Sequence, residues 1–107
     1  MPHYLIQAAY TSDAWAAQIK NPQDRAGAVR PAVEALGGKL LSFYLAFGKY
    51  DAVLLVEMPD NASAAGVSIA AAAGGGVKAV KTTPLMTVQE GMEAMRKAAQ
   101  AGYHPPS

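Results

Sequence analysis

Two apolar runs that meet at a glycine constrain the fold of this chain most strongly. Residues 39–47 and 51–58 are rich in Val, Leu, Phe and Tyr, the residue types that favour β-strands. Between them the chain reads Gly48-Lys49-Tyr50-Asp51, and the glycine can supply the positive φ that a tight turn needs. The pattern predicts a β-hairpin whose loop is residues 47–50.

The residues before the hairpin predict one strand and two helices. Residues 3–10 alternate in part between apolar and polar side chains, as a half-buried strand does. A cap at residues 11–13 starts a short helix, and Asn21 starts a second helix that ends at the Gly-Gly pair 37–38. Pro31 lies inside the second helix, where it removes a hydrogen bond, so we expect a kink there.

The residues after the hairpin predict two helices and one strand. In chain order these are a helix capped at Pro59-Asp60 and running to about Ala73, a strand over 77–83 ended by Pro84, a C-terminal helix over 86–101, and a loose tail over 102–107. Thr87 and Glu90 have capping-box spacing at the start of the last helix. Val88, Met92, Met95 and Ala99 share one side of it, so we expect this helix to cover an apolar surface.

The order of elements predicts an α+β fold of the ferredoxin-like β-α-β-β-α-β kind with an added C-terminal helix. Right-handed crossovers place the two main helices on one face of a four-stranded antiparallel sheet with strand order 4-1-3-2. At 107 residues, the chain has room for a single domain, residues 1–107.

The predicted hairpin assigns each strand residue to one face of the sheet. The pairs are Ala46 with Asp51, Tyr44 with Val53, Ser42 with Leu55 and Leu40 with Glu57. The face under the helices receives Leu41, Phe43, Leu45, Ala52, Leu54, Val56, Tyr4, Ile6 and Ala8. The other face receives Leu40, Ser42, Tyr44, Asp51, Val53, Leu55, Glu57, His3, Leu5, Gln7, Ala9, Ala79 and Lys81.

That second face combines apolar and polar side chains, which favours self-association. Leu5, Val53, Leu55 and Tyr44 would otherwise expose a contiguous apolar strip to water. A composition that is 51% hydrophobic and 16% charged also favours self-association. We therefore expect a homodimer or a higher homo-oligomer.

Charge and composition exclude several other classes of protein. The formal charge is +1 and the basic residues are scattered, so no nucleic-acid surface is predicted. The longest uncharged span, residues 61–77, is too poor in large apolar residues for a membrane span, and the N-terminal residues do not resemble a signal peptide. The absence of cysteine excludes disulfides and thiolate metal sites, and we expect a soluble protein in the cytoplasm.

The hairpin and its surroundings resemble a known family. Gly48-Lys49-Tyr50-Asp51, within RAGAVRPAVEALGGKLLSFYLAFGKYDAVLLVEMPD, and the later segment GGGVKAVKTTPL are similar to the GYD domain family of small bacterial proteins, over residues 2 to about 90. The resemblance implies a ferredoxin-like fold related to the dimeric α+β barrels and a biochemical role that is unassigned. It implies no catalytic residues.

The candidate ligand-binding residues belong to the hairpin and to the uncovered face of the sheet: His3, Gln7, Tyr44, Tyr50, Asp51 and Glu57. Tyr50 and Asp51 either close the hairpin end structurally or form a polar pair at the mouth of a pocket. His3 and Glu57 form either a salt bridge or a proton-transfer pair. No cofactor and no metal are predicted, because a site made of His3, Glu57 and His104 would need the tail to fold back.

Two functions are compatible with these residues. The first is a non-catalytic ligand-binding or interaction module that uses the uncovered sheet face, with a small hydrophobic or polar-aromatic ligand as a further partner. The alternative is a cofactor-free enzyme, of the monooxygenase or isomerase kind, acting on a small hydrophobic oxygenated molecule in a pocket between subunits. There Tyr44, His3, Asp51 or Glu57 would orient or protonate the substrate, but this idea rests on analogy of fold.

Overall fold

A computed structural model describes residues 1–106 and confirms the α+β architecture. Its elements are β1 (His3–Tyr10), α1 (Ser12–Lys20), α2 (Arg25–Ala35), β2 (Lys39–Leu45), β3 (Ala52–Glu57), α3 (Asn61–Ala73), β4 (Val77–Leu85) and α4 (Val88–Gln100). The four strands form one antiparallel sheet in the order β2-β3-β1-β4. This is the predicted ferredoxin-like order 4-1-3-2 read from the other edge.

The hydrophobic core lies between one face of the sheet and the helices α1, α2 and α3. Tyr4, Ile6 and Ala8 of β1 are buried on that face, as predicted, and so are Ala52, Leu54 and Val56 of β3. Val33 of α2 and Val67 of α3 pack into the same cluster. The opposite face of the sheet carries no helix packed across it in the described chain, so it is open.

A β-bulge in β2 corrects part of the predicted face assignment. Leu40 pairs with Val56 rather than with Glu57, and the register shifts before Ser42. Because Leu41 is an extra residue in β2, the side chains before it point to the face opposite to the one predicted. Leu40 is therefore buried on the helix side, whereas Leu41, predicted to lie in the core, is exposed. Leu45 pairs with Ala52 on the helix side, as predicted, but it is 60% exposed because it lies near the hairpin end of an edge strand.

The second helix starts later than predicted. Its N-cap is Asp24, whose carboxylate accepts a hydrogen bond from the backbone N–H of Gly27 at 3.2 Å. Asn21, the predicted cap, instead ends α1, where its backbone N–H donates to the carbonyl of Ala17. Pro31 lies inside α2 as expected, and a kink at this position stays a prediction.

The fourth strand continues past the residue expected to end it. β4 runs to Leu85, and Pro84 lies opposite Tyr4 in the ladder. Because β4 is an edge strand, one side of its backbone needs no partner, and a proline without an N–H is tolerated there.

Helix α4 extends from the rest of the chain. None of its residues, 88–100, is buried, and Val88 and Met95 are 81% and 72% exposed. The radius of gyration is 17.0 Å, against roughly 13 Å for a compact domain of this length. The expected apolar surface for α4 to cover is therefore not found within the described chain.

Gly38, just before β2, lies very close to the residues at the end of β3, and this contact gives the first testable prediction. A Cβ at Gly38 would meet the side-chain sulfur of Met58 and the carbonyl oxygen of Glu57, both within the packed structure. We expect Gly38→Ala to lower the free energy of unfolding by about 1–3 kcal/mol, the usual cost of overpacking. Urea denaturation measures it. Gly91→Ala is the control, because nothing lies within 4 Å of the position that its new methyl group would take, and an unchanged midpoint for Gly38→Ala would contradict the packing.

The N-terminus of α4 predicts a response to acid. Thr87 and Glu90 form a complete capping box, in which the N–H of Thr87 donates to the Glu90 carboxylate at 3.0 Å. This backbone hydrogen bond, followed by the side-chain bond from Thr87, lowers the pKa of Glu90. The stabilisation is therefore complete above the ordinary pKa of a glutamate and is lost as the pH falls through that value and then through the lower folded pKa.

We expect the first turn of α4 to fray in acid, as followed by NMR chemical shifts of residues 88–91. Glu90→Gln keeps a capping-box partner without a titrating group, so this variant should lose the Glu90-dependent part of the transition. Identical acid titrations of the two proteins would show that the carboxylate does not hold the cap.

Candidate functional site

The hairpin loop has the predicted glycine geometry. Gly48 has φ 133°, a conformation that side chains with a Cβ rarely adopt. The N–H of Ala46 donates to the carbonyl of Asp51 at 2.8 Å and closes the loop. Lys49 holds its ammonium 5.8 Å from the centre of the half-buried Tyr50 ring, at the outer limit of a cation–π contact.

Asp51 connects the hairpin to the central strand. Its carboxylate accepts a hydrogen bond from the N–H of Tyr10 at 2.9 Å, and its own N–H donates to the carbonyl of Ala8 at 2.8 Å. These contacts match the structural alternative given for Asp51, in which it closes the hairpin end. The register of β1 in this region changes at Ala9 and Tyr10, so Asp51 satisfies a backbone donor next to an irregularity in the ladder.

His3 and Glu57 face each other on the open side of the sheet. They are direct partners in the β1–β3 ladder, and Nε2 of His3 lies 3.0 Å from Oε1 of Glu57. The predicted proximity is confirmed. Their side chains are 45% and 30% exposed, and an ion pair this exposed is worth at most about 1 kcal/mol. The pair forms one side-chain hydrogen bond, and it lies on a surface rather than in a cleft.

The open face consists of three rungs of side chains, each crossing all four strands. In the order β2, β3, β1, β4, they are Lys39-Glu57-His3-Leu85, Ser42-Leu55-Leu5-Thr83 and Tyr44-Val53-Gln7-Lys81. The middle rung has two leucines at its centre, and the two outer rungs carry the charges. This set of twelve residues is called the open face below.

The six predicted site residues do not form one cluster. His3 and Glu57 lie on the first rung of the open face, whereas Gln7 and Tyr44 lie on the third, four residues along β1. At about 3.3 Å per residue the two rungs are roughly 13 Å apart. Tyr50 and Asp51 lie beyond the third rung, at the hairpin end. A ligand that touched all six would have to span most of the face.

A cavity of about 440 Å³ lies on the other side of the sheet, where sequence reasoning placed none. It lies between the sheet and the helices α1 and α3, and it is open to solvent along the helices. Its lining includes small side chains of both helices: Ala14, Ala17, Ala70 and Ala71. The alanine-rich sequence of these helices was the available signal, because a helix that carries methyl groups where leucine is usual leaves space above the sheet.

Metal sites and membrane spans are two further classes of feature that bear on function. Within residues 1–106, no three His, Asp or Glu side chains lie close enough together to hold a metal ion. In the same part of the chain, every helix is too short or too polar to span a bilayer.

The fold and the hairpin define the class of this chain: a ferredoxin-like α+β domain with an open sheet face and a Gly-Lys-Tyr-Asp loop. The family model described as GYD domain matches residues 4–95. The chain therefore belongs to the GYD domain family, as its sequence resemblance indicated. A search of curated proteins found no match.

The contacts of Asp51 predict a structural role that mutation can measure. Asp51→Ala removes a charged acceptor and leaves the N–H of Tyr10 without its partner, so we expect the free energy of unfolding to fall by about 1.5–3 kcal/mol. Asp51→Asn keeps an acceptor oxygen and should lose less. Thermal and urea denaturation compare the three proteins, and an Ala variant as stable as the original would show that the hydrogen bond to Tyr10 contributes nothing.

Proposed function

We propose that this protein is a non-catalytic interaction module that acts as a homodimer, with the open face of one copy against that of a second. The observation that carries the proposal is that two apolar surfaces have no helix or strand packed over them within the described chain: the half-buried centre of the open face and the exposed apolar side of α4. We further propose the cytoplasm as its compartment, on the absence of cysteine alone.

The open face is complementary to itself. A twofold axis parallel to the strands, between β1 and β3, sets Leu5 of each copy over Leu55 of the other. The same operation sets His3 over Glu57, because both pairs are direct partners across β1 and β3. Apolar groups then meet apolar groups and a carboxylate meets an imidazole. This complementarity favours a second copy over an unrelated partner.

The size of the open face requires α4 to take part as well. Four strands spaced about 4.8 Å apart and five residues of about 3.3 Å each give a projected area of roughly 300 Å². A standard stable interface buries about 800 Å² on each partner. α4 has 13 residues and is about 20 Å long, so its apolar side can supply part of the difference by lying against the second copy.

Substitutions on the open face test this arrangement. We expect sedimentation equilibrium at micromolar concentration to give twice the chain mass of 11.1 kDa. Tyr44→Lys, at a side chain that is 67% exposed, should weaken association at least tenfold without unfolding the chain. In the proposed dimer this residue lies over Lys81 of the second copy, so the substitution brings two cations together and removes aromatic area. Met95→Lys tests the contribution of α4 in the same way.

Ile69→Lys is the matched control, since Ile69 is equally exposed at 67% but belongs to α3 on the helix side. It should leave the mass unchanged. A monomer at every concentration, or a dimer that Ile69→Lys disrupts and Tyr44→Lys does not, would refute the proposed interface.

A further inference from the structure

The cavity between the sheet and the helices has the form of a small-molecule site. Its volume of about 440 Å³ falls within the usual range for ligand pockets, roughly 300–1,000 Å³. Ile6 and Leu54 contribute from the sheet, and Val67 and Ala71 contribute from α3. Ligand pockets are likewise mostly apolar with a few polar groups.

Two features account for the space. The helices above it carry small side chains, and contacts with neighbouring residues fix the position of α1. α1 contributes Ala14 and Ala17 to the lining and has no buried residue. Its start is held by a backbone hydrogen bond from Thr11 to Gly76 at 3.0 Å. Trp15 packs edge-on against Tyr10 with ring centres 5.2 Å apart. These two contacts hold α1 above the sheet, so it does not collapse into the space.

One cation lies at the edge of this apolar space. Arg25 is the single charged side chain in the lining found among residues 1–106. It is half-buried, and its nearest polar contact within that part of the chain is the neutral side-chain oxygen of Gln23, 3.3 Å from Nη1. No carboxylate pairs with it within the described chain.

Arg25 is the first residue of α2, where the positive end of the helix dipole disfavours a cation by a few tenths of a kcal/mol or more. The carboxylate of Asp24, the N-cap, accepts the N–H of Gly27 at 3.2 Å and already satisfies one donor of this turn. The guanidinium of Arg25 is therefore the group in the lining with which an anion would pair.

We infer that this cavity binds a small monocarboxylate with an apolar body, the body between the sheet and α3 and the carboxylate at Arg25. The volume of about 440 Å³ equals that of roughly 15 liquid water molecules at about 30 Å³ each, which is enough space for a medium-chain fatty acid. Gln18 and Gln23 supply further polar groups in the lining. The site lies on the opposite side of the sheet from the open face, so it does not depend on the proposed dimer.

Calorimetric titration with decanoate, and with decanol as the neutral probe of similar length, tests the inference. We expect saturable binding of one decanoate per chain and at least tenfold weaker binding of decanol. Arg25→Gln should lower the affinity for decanoate at least tenfold and leave that for decanol unchanged. Arg30→Gln is its control, because Arg30 is an exposed residue of the same helix outside the cavity lining.

A variant that fills the space tests the location. Ala71→Phe places a ring at the lining of the cavity and should abolish binding of both probes. Ala72→Phe should not, because Ala72 is likewise exposed but lies outside the lining. Circular dichroism confirms that each variant is folded. Tyr44→Lys should bind decanoate normally even if it is monomeric, so failure of the dimer and failure of the ligand site are separate results.

Absence of saturable decanoate binding would overturn the inference, and so would equal binding by Ala71→Phe. Equal affinity for decanoate and decanol, or an effect of Arg30→Gln as large as that of Arg25→Gln, would overturn the assignment of the carboxylate to Arg25.

Discussion

The hydrogen bonding of β1 to strands on both sides is the constraint on which the rest of the structure depends. β3 and β4 both pair with it in antiparallel register, so its backbone cannot slip without breaking two ladders, and each of its side chains is assigned to one face. Tyr4 and Ile6 enter the core, while Leu5 and Gln7 lie on the open face. The core, the open face and the cavity all take their positions from this one strand.

The two ends of β1 differ in how well the helices cover them. At its start, Tyr4 is 2% exposed and its hydroxyl donates to the side-chain oxygen of Asn61 at 2.6 Å, at the first turn of α3. Towards its end, α1 and α3 present alanines above Ile6 and Ala8. A side-chain hydrogen bond therefore ties the sheet to α3 at one end, whereas alanines of α1 and α3 line a cavity at the other.

The sequence predicted the elements, the strand order and most of the pairing, because these depend on periodicity and on turn residues. Tyr44 opposite Val53 and His3 beside Glu57 follow directly from the hairpin and the strand order. Leu40 was placed on the wrong face because a bulge needs only one extra residue and leaves no mark in the apolar pattern. The cap at Asp24 was missed because Asn21 has equal capping chemistry. The cavity was missed because a void depends on the distance between layers, which composition does not fix.

Helix α4 carries apolar side chains that the rest of the described chain leaves exposed. Isolated helices of 13 residues are marginal in water, and within residues 1–106 no packed surface supports this one. Its capping box satisfies backbone donors at the first turn, but capping does not explain why Val88, Met92 and Met95 share one side. An apolar stripe is the feature that lets a helix bury area against a partner. Since one face of this chain's sheet is already occupied by α1, α2 and α3, the area available to α4 lies outside its own core, and in the proposed dimer that area would lie on the second copy beside the paired open faces.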